Sequence, residues 1–353
     1  MKSYVGIALF VLLGFLTSII IGFSDVFSSK RLPYDYEQQG LGKEIVIKFS
    51  YVVAENTPKG LAAKMFAHLV NQKTKGRVKV ELFPDGSLYN EFDEIDALKQ
   101  GNVQMIAPSF SIISNQIPEW MVMDLPFAFP NDQAVQAAFH GAIGQELLQT
   151  LQSKNMIGMA FWGNGFRQIT NDKRPIIQPK DFNGINFRIE QSKVMEDKFR
   201  LMHANTTAVP FNQLFQKLES GTVDGEENSI SNIYSKKLYQ FQNYITICNE
   251  SYLGYVVLFN QTFWNRIPKD LQNDISEALQ ETTAWENEEA IQLNQEQWNM
   301  LKNIPGLNVH ELTPAEKKQW MAVWNPIYDQ YKPIFGKQMI EQIRELQRKY
   351  GND

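Results

Sequence analysis

Cysteine is nearly absent: Cys248 is the only one in 353 residues. A single thiol closes no internal disulfide, so stability has to come from an apolar core. Cys248 sits in an apolar run with no histidine near it and reads as part of that core. Histidine is scarce as well. His68, His140, His203 and His310 are far apart and share no ligand spacing, which argues against a metal centre or a histidine base. No Gly-x-Ser-x-Gly occurs, and Gly163-Asn164-Gly165 lacks the third glycine and the lysine of a phosphate loop. Asp224-Gly225-Glu226-Glu227-Asn228 lacks the alternation and the closing Glu of a calcium loop. It reads instead as a strand-end turn feeding a helix capped by Asn228. The missing catalytic set counts against an enzyme, and nothing implies a cofactor. Runs of one charge are missing too. The 34 basic and 39 acidic residues are intermixed, with a net charge of −5, which disfavours nucleic acid as a partner.

What the chain does have is apolar content of 43% against 21% charged residues, the balance of a folded protein, with length enough for two domains. From Tyr4 to Phe23 no charge interrupts the sequence. That run is long enough to cross a hydrocarbon core and also fits a secretory signal. Ser24-Asp25-Val26-Phe27 offers no good cleavage site, and no cysteine follows to carry a lipid. Residues 1–24 are therefore expected to be an uncleaved membrane anchor, with the folded part outside the cytoplasm and tethered to the cell membrane. Cleavage would instead make the protein secreted or periplasmic. Residues 25–43 are polar and turn-rich and read as a linker.

After the linker the pattern alternates. Ile45–Val53 reads as a strand. Thr57-Pro58 opens a helix carried by Leu61, Met65, Phe66, Leu69 and Val70. Arg77–Phe83 alternates as a strand does, Pro84-Asp85-Gly86 turns, and a helix through Phe92, Ile95 and Leu98 closes at Gly101. Strands follow near 103–107, 156–162, 166–171, 185–189, 206–209, 222–226, 243–248 and 253–260, with a helix over 211–220. This order implies an α/β fold with a largely parallel sheet in two lobes, joined near 162–167 and 253–258. Lys269 to Lys302 holds neither proline nor glycine and predicts one helix of roughly 50 Å, long enough to brace both lobes. Two more helices fit 313–324 and 336–349.

Two arginines stand inside strand-like segments, Arg167 in Gly165–Thr170 and Arg188 in Ile185–Ile189. Apolar neighbours imply burial, and a buried guanidinium needs an anion. No acid stands beside Arg167, and only Glu190 stands near Arg188. The anion is then either a distant Asp or Glu, or a ligand carboxylate held by the planar fork of the guanidinium. The residues alone leave both readings open.

Several motifs resemble the DctP-type solute receptors of tripartite ATP-independent periplasmic (TRAP) transporters. They are Thr57-Pro58-Lys59-Gly60, Gly86-Ser87-Leu88, Asp124-Leu125-Pro126-Phe127, Gly165–Asn171 and Asp224–Asn228 followed by Ile233–Lys237. Tyr252-Leu253-Gly254-Tyr255, then Asn260 with Phe263-Trp264, is similar to the C4-dicarboxylate branch. The resemblance spans about residues 45–345. It departs at Ser229, where the family often has Pro, and at Glu250, where a His is common.

The resemblance implies a two-lobed periplasmic-binding-protein-like clamp with a long helix across both lobes. Lobe I would be 44–165 plus 254–293, and lobe II 166–253 plus 294–350. It implies that Arg188 clamps the ligand carboxylate, Arg167 and Asn228 assist, and Phe211 covers it. Lys59, Ser109 and Asn56 are the candidates for a second carboxylate, although Lys59 fits a solvated helix face equally well. The implied ligands are succinate, fumarate or malate, and the implied partners are TRAP membrane permease subunits. A sensory role beside a histidine kinase or a dicarboxylate carrier is the alternative.

Overall fold

A computed structural model describes residues 6, 11–15, 17–18 and 44–351. The expected anchor and linker therefore lie almost wholly outside the described residues. Among those described, no helix is long and apolar enough to cross a membrane. The described residues from Ile45 onward form one compact unit.

The chain alternates strands and helices from the start. Strand β1 (Ile45–Ser50) leads to α1 (Pro58–Lys73), β2 (Val78–Phe83), α2 (Glu94–Gln100), β3 (Met105–Ile106) and the short α3 (Phe110–Ile113). Helices α4 (Asp132–His140) and α5 (Ala142–Leu151) precede β4 (Met156–Asn171). Then come β5 (Asn186–Ile189), α6 (Lys193–Leu201), β6 (Asn205–Ala208), α7 (Phe211–Glu219), β7 (Gly225–Ser229) and α8 (Ile230–Ser235). The last part holds β8 (Tyr244–Ile247), β9 (Tyr252–Asn260), α9 (Gln261–Trp264), α10 (Lys269–Leu301), β10 (Asn308–Glu311) and α11 (Pro314–Tyr350).

Local chemistry accounts for the clearest boundaries. Thr57 accepts a hydrogen bond from the Gly60 amide at 3.2 Å, with Pro58 at the first helical position of α1. Gly101 ends α2 in the left-handed conformation, φ 79°. Thr313 and Glu316 cap each other's amides at the start of α11. The span Pro314–Tyr350 is two helices meeting at Gly336, whose φ 79° and ψ 158° are not helical; the second starts where it was expected and the first runs on beyond residue 324 to reach it. Near Asn228 the cap is the next residue: Ser229 Oγ accepts from Asn232 N, and Asn228 itself lies within β7.

The sheet is mixed rather than largely parallel. Its order is β2-β1-β3-β9-β4-β7-β5-β6, with β8 paired to β4 off this path and β10 paired to β8. The β1 and β5 pairs are parallel, whereas β4 and β9 run antiparallel to each other. The two segments expected at 156–162 and 166–171 are one strand. Its first part pairs with β9, and from Arg167 onward it pairs with β7 and β8.

The change of partner coincides with a register shift between Gly163 and Gly165. Gly165 has φ 124°, open to glycine and not to other residues. Helix α10 fastens this bend. Glu286 accepts from the Gly163 amide at 2.9 Å, and Asn294 Nδ2 donates to the Asn164 carbonyl. The same helix packs on α1 and α8, so it spans both ends of the sheet.

Candidate functional site

Three adjacent strands carry the polar residues singled out by the sequence. Arg167 is on β4, Asn228 on the neighbouring β7 and Arg188 on β5 beyond it. Register sets Gln168 opposite Asn228 and Arg188 opposite Glu226. All three side chains are buried, with 1% of each exposed.

Neither arginine lacks a protein anion. Arg167 Nη2 donates to Glu190 Oε2 at 2.5 Å and to Ser111 Oγ at 3.1 Å. Arg188 Nη2 donates to Glu91 Oε1 at 2.8 Å, and its Nε donates to the Val209 carbonyl. Glu190, adjacent to Arg188 in sequence, therefore pairs with the other arginine. The anion for Arg188 comes from 97 positions away. The pairing is incomplete, since Arg167 keeps Nε and Nη1 buried with no hydrogen-bond partner. A buried donor without an acceptor costs about 1–3 kcal/mol.

These groups surround a small cavity. Its wall is formed by Val52, Val53, Glu91, Glu94, Ser109, Glu190, Phe211, Asn228, Asn232 and Tyr255. Its volume of about 10 Å³ holds one water and no organic acid. The two arginines stand behind the carboxylates of Glu91 and Glu190 rather than on the wall.

The remaining sequence-picked residues divide. Phe211 opens α7 on the wall. Its amide donates to Glu91 at 2.9 Å, and the Arg188 guanidinium lies 5.8 Å from its ring centroid. Ser109 is on the wall, caps α3 and hydrogen-bonds to Glu190. Lys59 is fully buried rather than solvated. Its Nζ donates to the Ala107 carbonyl at 2.8 Å and sits 3.5 Å above the Tyr255 ring. Asn56 is exposed in the turn before Thr57, one place outside the helix cap, and takes no part in the wall. Glu250 is also remote from it, buried against Lys198 at 2.6 Å. Asn228 donates to Glu226 at 3.0 Å and accepts from Asn232 at 2.7 Å.

Glu91, Glu94, Asn232 and Tyr255 were not anticipated. Asn232 follows Asn228 by four residues, and Tyr255 lies within the Tyr252–Tyr255 motif, so both had a local signal. The two glutamates had none.

Burial governs the charges. Desolvation pushes Glu91 up to about 7 against the pull of Arg188, and Glu94 up to about 8 against Lys59. Burial lowers Lys59 to about 8. Glu190 is also desolvated, but Arg167 and Arg188 outweigh that and hold it below the usual carboxylate range. The site thus has one carboxylate held ionised, two acids that take up protons near neutrality, and a lysine that gives up its proton more readily than usual. Among the described residues no cluster of His, Cys, Asp and Glu is arranged to hold a metal ion.

Comparison with known proteins agrees with this architecture. Residues 49–333 match the family model described as bacterial extracellular solute-binding protein, family 7, DctP. The chain is 46% identical over 348 residues to the C4-dicarboxylate-binding protein DctB of Bacillus subtilis, covering 99% of each. It is 36% identical to the C4-dicarboxylate-binding periplasmic protein DctP of Rhodobacter capsulatus, covering 86% of this chain and 91% of that one. A crystal structure of a TRAP periplasmic solute-binding protein from Shewanella oneidensis, with bound succinate, superposes with a TM-score of 0.84 at 36% identity. That alignment covers 86% of this chain and 99% of the other. With its two-lobed α/β clamp and a buried polar site on adjacent strands, the chain belongs to the DctP family of bacterial extracellular solute-binding proteins.

Proposed function

We propose that this protein is an extracytoplasmic receptor that binds C4-dicarboxylates such as succinate, fumarate and malate and delivers them to a TRAP-type membrane permease. The observation that carries this reading is Arg167, fully buried beside the cavity with two N–H groups unpartnered. Those donors, with Arg188 and Asn228 on the next two strands, suit a carboxylate. The names of the similar proteins and the succinate bound in the Shewanella structure support the ligand class.

The cavity admits no diacid as it stands, so binding requires movement. In this reading lobe I (44–165 plus 254–293) and lobe II (166–253 plus 294–350) part at the Gly163–Gly165 bend. Glu91, on lobe I, leaves Arg188 as the lobes part while Glu190 stays paired with Arg167 on lobe II, and the ligand carboxylate takes the place of Glu91 on Arg188 and meets the free donors of Arg167. Phe211 and Tyr255 then close over it. Ser109 supplies a hydroxyl, and Lys59 supplies positive potential from behind Tyr255. The apolar N-terminal run holds the receptor at the membrane; recovery of the full chain in the soluble fraction of cells would contradict that.

Isothermal titration of purified ectodomain with succinate tests the binding. Saturable heat is expected. Its absence in folded, ligand-free protein for succinate, fumarate and malate alike would overturn the reading. Arg188→Ala should weaken succinate binding by at least about a hundredfold, because a charge-assisted pair is lost inside a dry site. Unchanged affinity in that variant would make Arg188 purely structural.

A further inference from the structure

The wall of the cavity contains an acid whose chemistry the carboxylate clamp leaves unused. Glu94 opens α2, is 0% exposed, and neither of its carboxyl oxygens has a hydrogen-bond partner. A buried, unpaired carboxylate is among the costliest groups a protein can hold, whereas its protonated form needs only one acceptor. The surrounding charges do not relieve it. Glu91 faces it from the preceding loop as a like charge, and Lys59 on α1 is the cation acting on it. Lys59 itself is shared with Glu91, Glu190 on the chain after β5, and Glu286 on α10.

Charge balance points the same way. The surroundings hold more acids than cations: Lys59, Arg167, Arg188 and Lys198 face Glu91, Glu94, Asp124, Glu190, Glu226, Glu227, Glu250 and Glu286. A dianion entering this dry, acid-rich enclosure is unfavourable unless a proton enters with it.

We infer that Glu94 acts as a protonated carboxyl that donates its hydrogen bond to the ligand's second carboxylate, so that dicarboxylate binding draws a proton into the site. This rests on the dicarboxylate reading above and adds a specificity device to it. The O–H of Glu94 recognises an acceptor at the end of the ligand away from the arginines. A ligand lacking that acceptor leaves the donor unpaired. Burial already holds the Glu94 carboxyl near 8, and a carboxylate ligand beside it raises it further. Below that range the acid is already protonated and binding takes up little. Above it, binding must supply the proton.

The test is succinate titration calorimetry of the wild-type ectodomain at pH 7 and pH 9, each in two buffers of different ionisation enthalpy, which counts protons. The expected result is uptake that grows from pH 7 to pH 9, with affinity falling by up to about tenfold per pH unit above the Glu94 value. Glu94→Gln should take up about one proton fewer than wild type at pH 9. The residual uptake belongs to Lys59 and Glu91. A measurement needing no variant is the infrared difference spectrum of wild type at pH 9, bound minus free. It should gain a protonated-carboxyl C=O band. Succinate binding with the same proton count in Glu94→Gln, or without the infrared band, overturns this inference and leaves the dicarboxylate reading standing. No succinate binding by folded wild type at either pH overturns both.

Discussion

Glu91 reaches Arg188 and the Phe211 amide with one oxygen, at 2.8 and 2.9 Å. A ligand carboxylate seeking the same guanidinium must displace it, so Glu91 acts as an internal competitor. Glu91→Gln keeps the size and an acceptor for Phe211 but removes the charge, and the pair loses its charge-assisted share, about 1–2 kcal/mol. Succinate should then bind roughly tenfold more tightly, read by titration calorimetry. Weaker binding in a folded variant would mean that Glu91 touches the ligand. This residue also marks the limit of sequence reading. Arg167 and Arg188 were legible because charges inside apolar strands are rare. Their anions were not, because an ion pair closed across 97 positions leaves no local trace. Both buried arginines have distant protein partners, the first of the two readings left open by the residues, and Arg167 also keeps two free donors, on which the proposed ligand reading rests.

At the scale of elements, the helices with strong punctuation were legible. Thr57-Pro58 set the start of α1, Gly101 set the end of α2, and the run without proline or glycine set α10 as one helix of 33 residues. Sheet direction was not, since the antiparallel pairing of β4 with β9 joins segments far apart in the chain. Gly163-Asn164-Gly165 looked like a gap between two strands. It is a bend within one, held by Glu286 and Asn294 from α10. Gly165→Ala tests that bend. A Cβ there would lie 2.9 Å from Asn294 Nδ2 on a backbone with φ 124°. Destabilisation of about 2 kcal/mol is expected, seen as a lower urea midpoint. A loss under about 0.5 kcal/mol would show that the bend relaxes freely.

At the scale of the molecule, the buried acids act together. Glu91, Glu94, Asp124, Glu226 and Glu250 are raised by burial to about 7, 8, 6, 7 and 8, and they come from both halves of the chain. In the unfolded chain these groups lose their protons at ordinary carboxylate pH. Between roughly pH 5 and pH 8 the folded protein therefore holds more protons than the unfolded chain, and its stability falls as pH rises. Glu190 and Glu227 behave oppositely. Burial opposes their charge, but arginine and lysine neighbours hold them below the usual range, so their contribution is lost as pH drops into it. Lys59, lowered to about 8, sheds its buried charge at the upper end and flattens the fall there. The ligand-free protein should accordingly melt highest near pH 5 and progressively lower toward pH 8, by scanning calorimetry at constant ionic strength. Succinate should recover part of the loss at pH 8, because any ligand bound only by the folded state stabilises it by mass action. A melting temperature that is flat or rising from pH 5 to pH 8 would mean that these carboxyls stay ionised in the fold. The excess of buried acids would then need compensating contacts beyond Lys59, Arg167, Arg188 and Lys198.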